Sequence, residues 1–229
     1  MVIRQIVNYF GYQFFLSGDK NDTHAGVGFI VSPHILKYIG SFVPINSRLA
    51  ILKLYTNHRK TWLYSCYAPS VMASNIENVL ELDADRKQKF WDSLHDHTPV
   101  DSSTIPALMG DFNCRLLQRR LMPPYVGEHA FLHLDTSTQF ALNSDFMTEF
   151  LQSHNLQIKS TFASQPAPQK ITYLEIQSDE YCSSFHPTNR DFSQLDHVLL
   201  PIPHTDLITC PKSMVDISFP SRHFPVLSP

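Results

Sequence analysis

Sixteen prolines against seven glycines in 229 residues constrain this chain more than any other property of its sequence. Proline fixes φ and has no amide hydrogen, so it is kept out of helix interiors and central strands. The connections must therefore be numerous and often extended, between short regular elements. Composition still allows a sizeable core. Hydrophobic residues make up 43% of the chain and charged residues 17%, with 16 phenylalanines, which places it among globular rather than disordered proteins. The length suits one large domain or two small ones.

A net charge of −3 argues against a surface that is basic throughout and binds polyanions everywhere. Local basic clusters remain: Lys53, His58, Arg59 and Lys60, and further on Arg115, Arg119 and Arg120. The cysteines Cys66, Cys114, Cys182 and Cys210 are widely spaced and form no CxxC pair. Neither a zinc site nor a disulfide framework is expected, and they read as free thiols of an intracellular protein, nuclear or cytoplasmic. No stretch approaches the roughly 18 apolar residues that span a bilayer, and the start lacks a signal-peptide pattern, so no membrane partner is expected.

Along the chain, Ala25 to Pro33 reads as a central strand whose two glycines allow close backbone packing. Residues 48–55 and 60–67 form an expected antiparallel hairpin that ends in Tyr67. From Asn75 to about His97 apolar residues recur at helical spacing, and a second helix is expected from Asn143 to about His154. Residues 114–136, rich in Pro, His and Arg, read as a long loop. Short strands are expected over 156–162, from Ile171 to Leu174 and over 194–200. Strands with few, separated helices and one hairpin indicate a mixed sheet rather than a barrel of βα units.

The apolar run Ile105 to Met109 leads into Gly110-Asp111-Phe112-Asn113. Strand alternation puts Asp111 and Asn113 on one face, suited to a hard cation and a phosphate, with Phe112 turned into the core. The other reading is a turn in which Gly, Asp and Asn serve backbone geometry. Tyr67, Asp196 and Ser221-Arg222-His223 also fall at expected strand ends. Together these groups suit phosphodiester cleavage, which needs an activated water, neutralised phosphate oxygens and a stabilised leaving oxygen.

The motifs Gly26-Val27-Gly28-Phe29, Tyr67-Ala68-Pro69, Gly110-Asp111-Phe112-Asn113, Leu195-Asp196-His197-Val198-Leu199 and Ser221-Arg222-His223-Phe224-Pro225 occur in one order. In that order the chain resembles the endonuclease/exonuclease/phosphatase family with its deoxyribonuclease-I-like fold. More narrowly it is similar to the apurinic-type endonuclease domain of non-LTR retrotransposons. The resemblance implies one α/β domain over residues 1–229, a four-layer sandwich of two packed mixed or antiparallel sheets flanked by helices. It implies that Asp111 orients or activates the attacking water, as a possible ligand of Mg²⁺ or Mn²⁺. Asn113 would donate to the scissile phosphate, Tyr67 would contact the phosphate or leaving oxygen, and Asp196 would hold a phosphate-binding His223. Arg115, Arg119, Arg120 and Thr172 would face DNA, the implied partner.

Two departures change the expectation. The family's first strands, which carry an Asn and the principal metal-ligating Glu, have no counterpart in the motif order, so the domain reads as N-terminally truncated. Arg222 stands where the family usually has Asp, and a fixed positive charge there opposes a divalent cation. The expected function is a DNA endonuclease of retrotransposon origin that is weakened or inactive. A non-catalytic nucleic-acid- or protein-binding remnant and a phosphatase of the same fold stay open. Missing strands would leave sheet edges exposed and favour self-association.

Overall fold

Prolines and glycines set the first boundaries in the computed structural model, which describes residues 2–20, 22–70, 79–116, 123–131, 138–174, 192–215 and 221–228. Residues 1–112 and 113–229 form two compact units. In the first, β1 (Val2–Tyr9), β2 (Tyr12–Asp19) and β3 (Asp22–Val31) make an antiparallel sheet in that order. The sequence reading assigns no element to residues 2–19, and their hairpin corrects the expectation of a central strand at Ala25–Pro33. β2 takes the middle place and β3 lies outside it. The close packing expected there does occur, since a Cβ on Gly28 would stand 2.3 Å from the carbonyl oxygen of Phe15.

After the short helix α1 (Pro33–Leu36), strands β4 (Ile39–Asn46), β5 (Leu49–Tyr55) and β6 (Lys60–Tyr67) run antiparallel. β7 (Thr104–Asp111) then joins β6 in parallel, so the sheet is mixed and the hairpin is as expected. Phe15 and Val31 of the first sheet pack on Phe42, Ala50 and Leu52 of the second, which makes the core between the two layers. Fully burying a Phe, Val or Leu side chain in this way contributes roughly 1.5–3 kcal/mol.

Two prolines defy the opening expectation. Pro44 lies in β4 beside a register shift between Pro44 and Asn46, where a bulge relieves the missing donor. Pro106 lies near the start of β7, opposite Trp62.

Helix α2 (Val79–His97) connects the parallel pair and buries Phe90, Trp91 and Leu94 at helical spacing. The Trp91 ring stacks on Phe112, centroids 6.1 Å apart. Its polar positions pair at i and i+4: Asp83 with Lys87 and Asp85 with Lys89, both at 2.6 Å, the first pair buried. The expected helical residues 75–78 lie outside the described residues.

In the second unit α3 (Thr138–Ser153) starts earlier than the expected Asn143 and buries Met147, Phe150 and Leu151. Asn155, at φ 52°, turns the chain into β8 (Leu156–Ile158). The alternating strand expected over 156–162 is cut short, because all three β8 residues are buried and a 3₁₀ turn occupies Lys159–Thr161. β9 (Tyr173–Leu174) pairs with β10 (Phe192–Ser193), and β8 pairs with β11 (Asp196–Pro201). β12 (Lys212–Ser213) pairs with β13 (Val226–Leu227), near the chain end. Phe131, Ile171 and Phe192 form a small core under these strands. Cys66 and Cys210 are free thiols, the Cys114 sulfur lies 3.6 Å from the Ser144 hydroxyl oxygen, and Cys182 lies outside the described residues. Among the described residues no helix is long and apolar enough to cross a membrane.

Candidate active site

In the first unit, parallel pairing sets Tyr67 and Asp111 directly opposite each other at the carboxyl ends of β6 and β7. Register partners in a parallel ladder share a face, so the phenol and the carboxylate emerge side by side. The Ala68 amide donates to the Asp111 carbonyl at 2.8 Å and closes the ladder just beyond them. This closeness depends on Gly110, which has φ 141° and whose Cβ would lie 2.0 Å from the Cys66 carbonyl oxygen. Glycine is the residue that permits both the conformation and the approach. The Arg48 guanidinium sits over the Tyr67 ring, 4.8 Å from its centroid, and lies 3.6 Å from the Asp22 carboxylate.

The strand reading of Gly110–Asn113 holds only through Asp111. Phe112 is fully buried, as expected, but Asn113 takes a left-handed φ of 45°. Period-two alternation therefore does not govern where its carboxamide points. The backbone-geometry reading of this tetrapeptide thus applies to Gly110 and Asn113. Helix α3 holds the segment that follows. Asn143 donates from Nδ2 to the Asn113 carbonyl at 3.1 Å, and the Ser144 hydroxyl donates to the Arg115 carbonyl.

In the second unit the expected Asp196–His223 pair is formed. His223 Nδ1 is 3.0 Å from Asp196 Oδ2, with the histidine side chain 35% and the aspartate 21% exposed. A carboxylate at Nδ1 favours the tautomer protonated there and leaves Nε2 as the basic nitrogen. His223 bridges Tyr173 of β9, and the two rings lie 4.8 Å apart. Hydrogen bonds from the Leu174 amide to the Arg222 carbonyl (2.9 Å) and from the Phe224 amide to the Thr172 carbonyl (2.8 Å) clamp the histidine segment on both sides. The Ser221 hydroxyl accepts from the His223 amide at 3.0 Å. The Arg222 side chain itself is exposed.

Thr172 corrects the expectation of a residue facing nucleic acid. It is 2% exposed, and its hydroxyl oxygen accepts from the amides of Leu195 and Asp196 at 2.9 and 3.0 Å. It positions the start of β11, and with it the Asp196 carboxylate. Arg115 is half-buried, whereas Arg119 and Arg120 lie outside the described residues.

Two further residues, Arg48 and Ser144, escape a sequence reading, and His197 stands in a motif without an assigned role. Arg48 precedes β5 in a tight turn in which the Asn46 side chain accepts from its amide at 2.8 Å, and Ser47-Arg48 carries no motif. His197 is buried beside Asp196, with Nε2 3.3 Å from the Cys114 carbonyl, and burial pushes its pKa below the usual histidine range. Ser144 is visible in the sequence only as an ordinary helix residue.

The resemblance implies Mg²⁺ or Mn²⁺, and the donors present do not fit one well. Among the described residues no three His, Cys, Asp or Glu side chains gather to hold a metal. Asp196 directs an oxygen to His223, and the cationic Arg222 adjoins that histidine. A hard divalent cation takes oxygen ligands, and a neighbouring fixed positive charge opposes its binding.

No protein-family model and no curated protein matches the chain. Solved structures do. A 3′ phosphatase, NExo, from Neisseria bound to product DNA hairpin is similar with a TM-score of 0.63 and 14% identity, over 96% of this chain and 79% of that one. An AP endonuclease from Archaeoglobus fulgidus is similar with a TM-score of 0.60, 14% identity and the same coverage of 96% and 79%. The chain has the fold of these proteins. It is the mixed α/β, deoxyribonuclease-I-like fold expected from the motif order. A 3′–5′ exonuclease from Neisseria meningitidis is similar in the same way, with a TM-score of 0.60 and 15% identity, again over 96% and 79%.

Proposed function

We propose that this chain is a phosphodiesterase-type domain whose substrate is DNA. The observation that carries the reading is the Asp196–His223 pair at 3.0 Å, built from residues 27 apart in sequence and clamped by β9. A histidine so held binds a phosphate oxygen through Nε2 and stabilises the charge that develops there. In the first unit, taken by itself, Asp111 and Tyr67 are register partners, a carboxylate that suits a water and a phenol that suits a phosphate oxygen. Arg48 stacks on that phenol and adds positive charge on its side of the ring, which suits an anionic substrate. The fold supports this reading, and so does the DNA hairpin bound to the Neisseria phosphatase, an observation about that protein.

We propose further that the domain, of retrotransposon origin, works poorly as a nuclease, because the donors described do not fit a divalent cation well. A remnant that binds DNA without cutting it is the second reading, favoured by the absence of a three-ligand group among the described residues and by the charge of Arg222. Two assays separate the readings: plasmid nicking with Mg²⁺ or Mn²⁺, and release of phosphate from a 3′-phosphorylated duplex. Slow cleavage that disappears in both Asp111→Ala and His223→Ala supports the enzyme. Cleavage that persists in both variants would refute the assigned site, and DNA binding with no cleavage in the wild type selects the remnant.

A further inference from the structure

The side of the β1–β2–β3 sheet that faces away from Phe42 is apolar and open to solvent. Phe15 and Phe29 point toward the core, so the alternate residues point out. Register places Val7, Phe14 and Ile30 in one row across the three strands. Tyr9 and Tyr12 form the next row, and Leu16 stands between Gln5 and Gly28 in the row on the other side. Val7 is 37% exposed, Tyr9 62%, Tyr12 47%, Leu16 38% and Ile30 66%. Phe10, at the tip of the β1–β2 turn, is 85% exposed and meets the Tyr9 ring edge-on at 4.4 Å. None of these positions carries Lys, Arg, Asp or Glu.

We propose that this sheet face is the contact between two copies of the chain in solution. Its lack of charge argues for the occupant. A polyanion such as DNA finds no cation on it. Two like faces brought together meet no repulsion, because an isologous contact sets each patch against itself. Size agrees. The exposed parts of the three aromatics alone amount to roughly 400 Å², at the scale of the largest patch on a typical monomer. With the aliphatic rows and a polar rim the face approaches the roughly 800 Å² that each partner gives to a stable interface. Two twisted sheets stacked face to face about 10 Å apart are a common way to bury such surfaces. The face, rather than a sheet edge, is where self-association occurs, and this inference stands apart from the nuclease reading.

Sedimentation equilibrium of the full chain from about 1 to 100 µM tests it. The wild type forms a dimer, and Leu16→Glu with Ile30→Glu weakens it by roughly 100-fold or more, because like charges then meet across the contact. Leu16→Lys with Ile30→Lys is equally monomeric, and mixing the two variants restores a heterodimer. Far-UV circular dichroism reports whether the variants fold. Hydroxyl-radical footprinting of the wild type gives an independent reading, with Tyr9, Tyr12 and Phe10 growing less reactive as concentration rises. A wild type that stays monomeric, an unchanged constant in a folded charged variant, a mixture that stays monomeric, or footprinting that ignores concentration would each overturn the proposal.

Discussion

Replacing Gly110 with alanine should damage the first unit far more than its one added methyl group suggests. The new Cβ meets the Cys66 carbonyl oxygen at 2.0 Å, the Cys66 carbonyl carbon at 2.9 Å and its nitrogen at 3.0 Å. All three are backbone atoms, so no rotamer change can relieve the clash. The φ of 141° is itself a conformation that L-residues rarely adopt, at about 1–3 kcal/mol. Relief requires β7 to move from β6 by about 1 Å or more, which breaks one or two ladder hydrogen bonds near Tyr67 and Asp111 at about 1 kcal/mol each. The expected loss is therefore about 2–5 kcal/mol, a large part of the roughly 5–15 kcal/mol that holds a domain folded. In a chain of this size that lowers Tm by on the order of 10 °C. Gly18→Ala is the control, since a Cβ there has nothing within 4 Å, and it should stay within about 0.5 kcal/mol of the wild type. Both tryptophans of the chain, Trp62 and Trp91, lie in the first unit, so urea unfolding followed by tryptophan fluorescence reports on their surroundings in that unit. If Gly110→Ala unfolds within 1 kcal/mol of Gly18→Ala, the close β6–β7 approach does not exist as described.

His197 predicts an acid-labile second unit. Its folded pKa lies below its unfolded value, so below about pH 6.5 the unfolded chain takes a proton that the folded chain refuses, and stability falls as pH drops toward the folded pKa. The slope from this one group is at most about 1.4 kcal/mol per pH unit. Urea unfolding at pH 7 and pH 5 should show His197→Gln losing part of the wild-type pH dependence, and identical dependence in both proteins would contradict the burial argument. Thr172→Val keeps the shape but removes the acceptor for two buried amides, and should destabilise by about 2–4 kcal/mol. The same change should shift the ¹⁵N resonances of the His223 ring as Asp196 loses its support, and unshifted resonances would rule out the positioning role.

Local pattern was sufficient for the elements whose burial follows a simple period. The 48–67 hairpin, the α2 stripe of Phe90, Trp91 and Leu94, and the apolar run into Asp111 were all legible, because side-chain period and strand or helix geometry agree there. The β1–β2 hairpin was not. Its apolar residues lie mostly on the outward face, Val7, Tyr12, Phe14 and Leu16, while Arg4, Asn8, Gln13 and Ser17 share the inward face with Phe15, so alternation does not mark the buried side along this hairpin. The 3₁₀ turn that ends β8 was hidden for a related reason: Gln157, Ser160 and Thr161 are buried although polar.

At the candidate site, residue identity alone singled out Tyr67, Asp111, Asp196 and His223, because their side-chain chemistry suits phosphate and their motifs stand in a characteristic order. Tertiary structure decided what each can do. The partnership of Asp196 with His223 depends on a hydrogen-bonded clamp between β9 and the 221–224 segment, and no local sequence term encodes that distance. Thr172 looked like a surface contact until its burial and two accepted amides made it a support for Asp196. Asn113 turned left-handed where a strand would have continued. Composition and motif order thus determine which side-chain types the chain brings to its strand ends, whereas orientation comes from long-range backbone hydrogen bonds and packing, whose energies belong to pairs of segments rather than to any one of them.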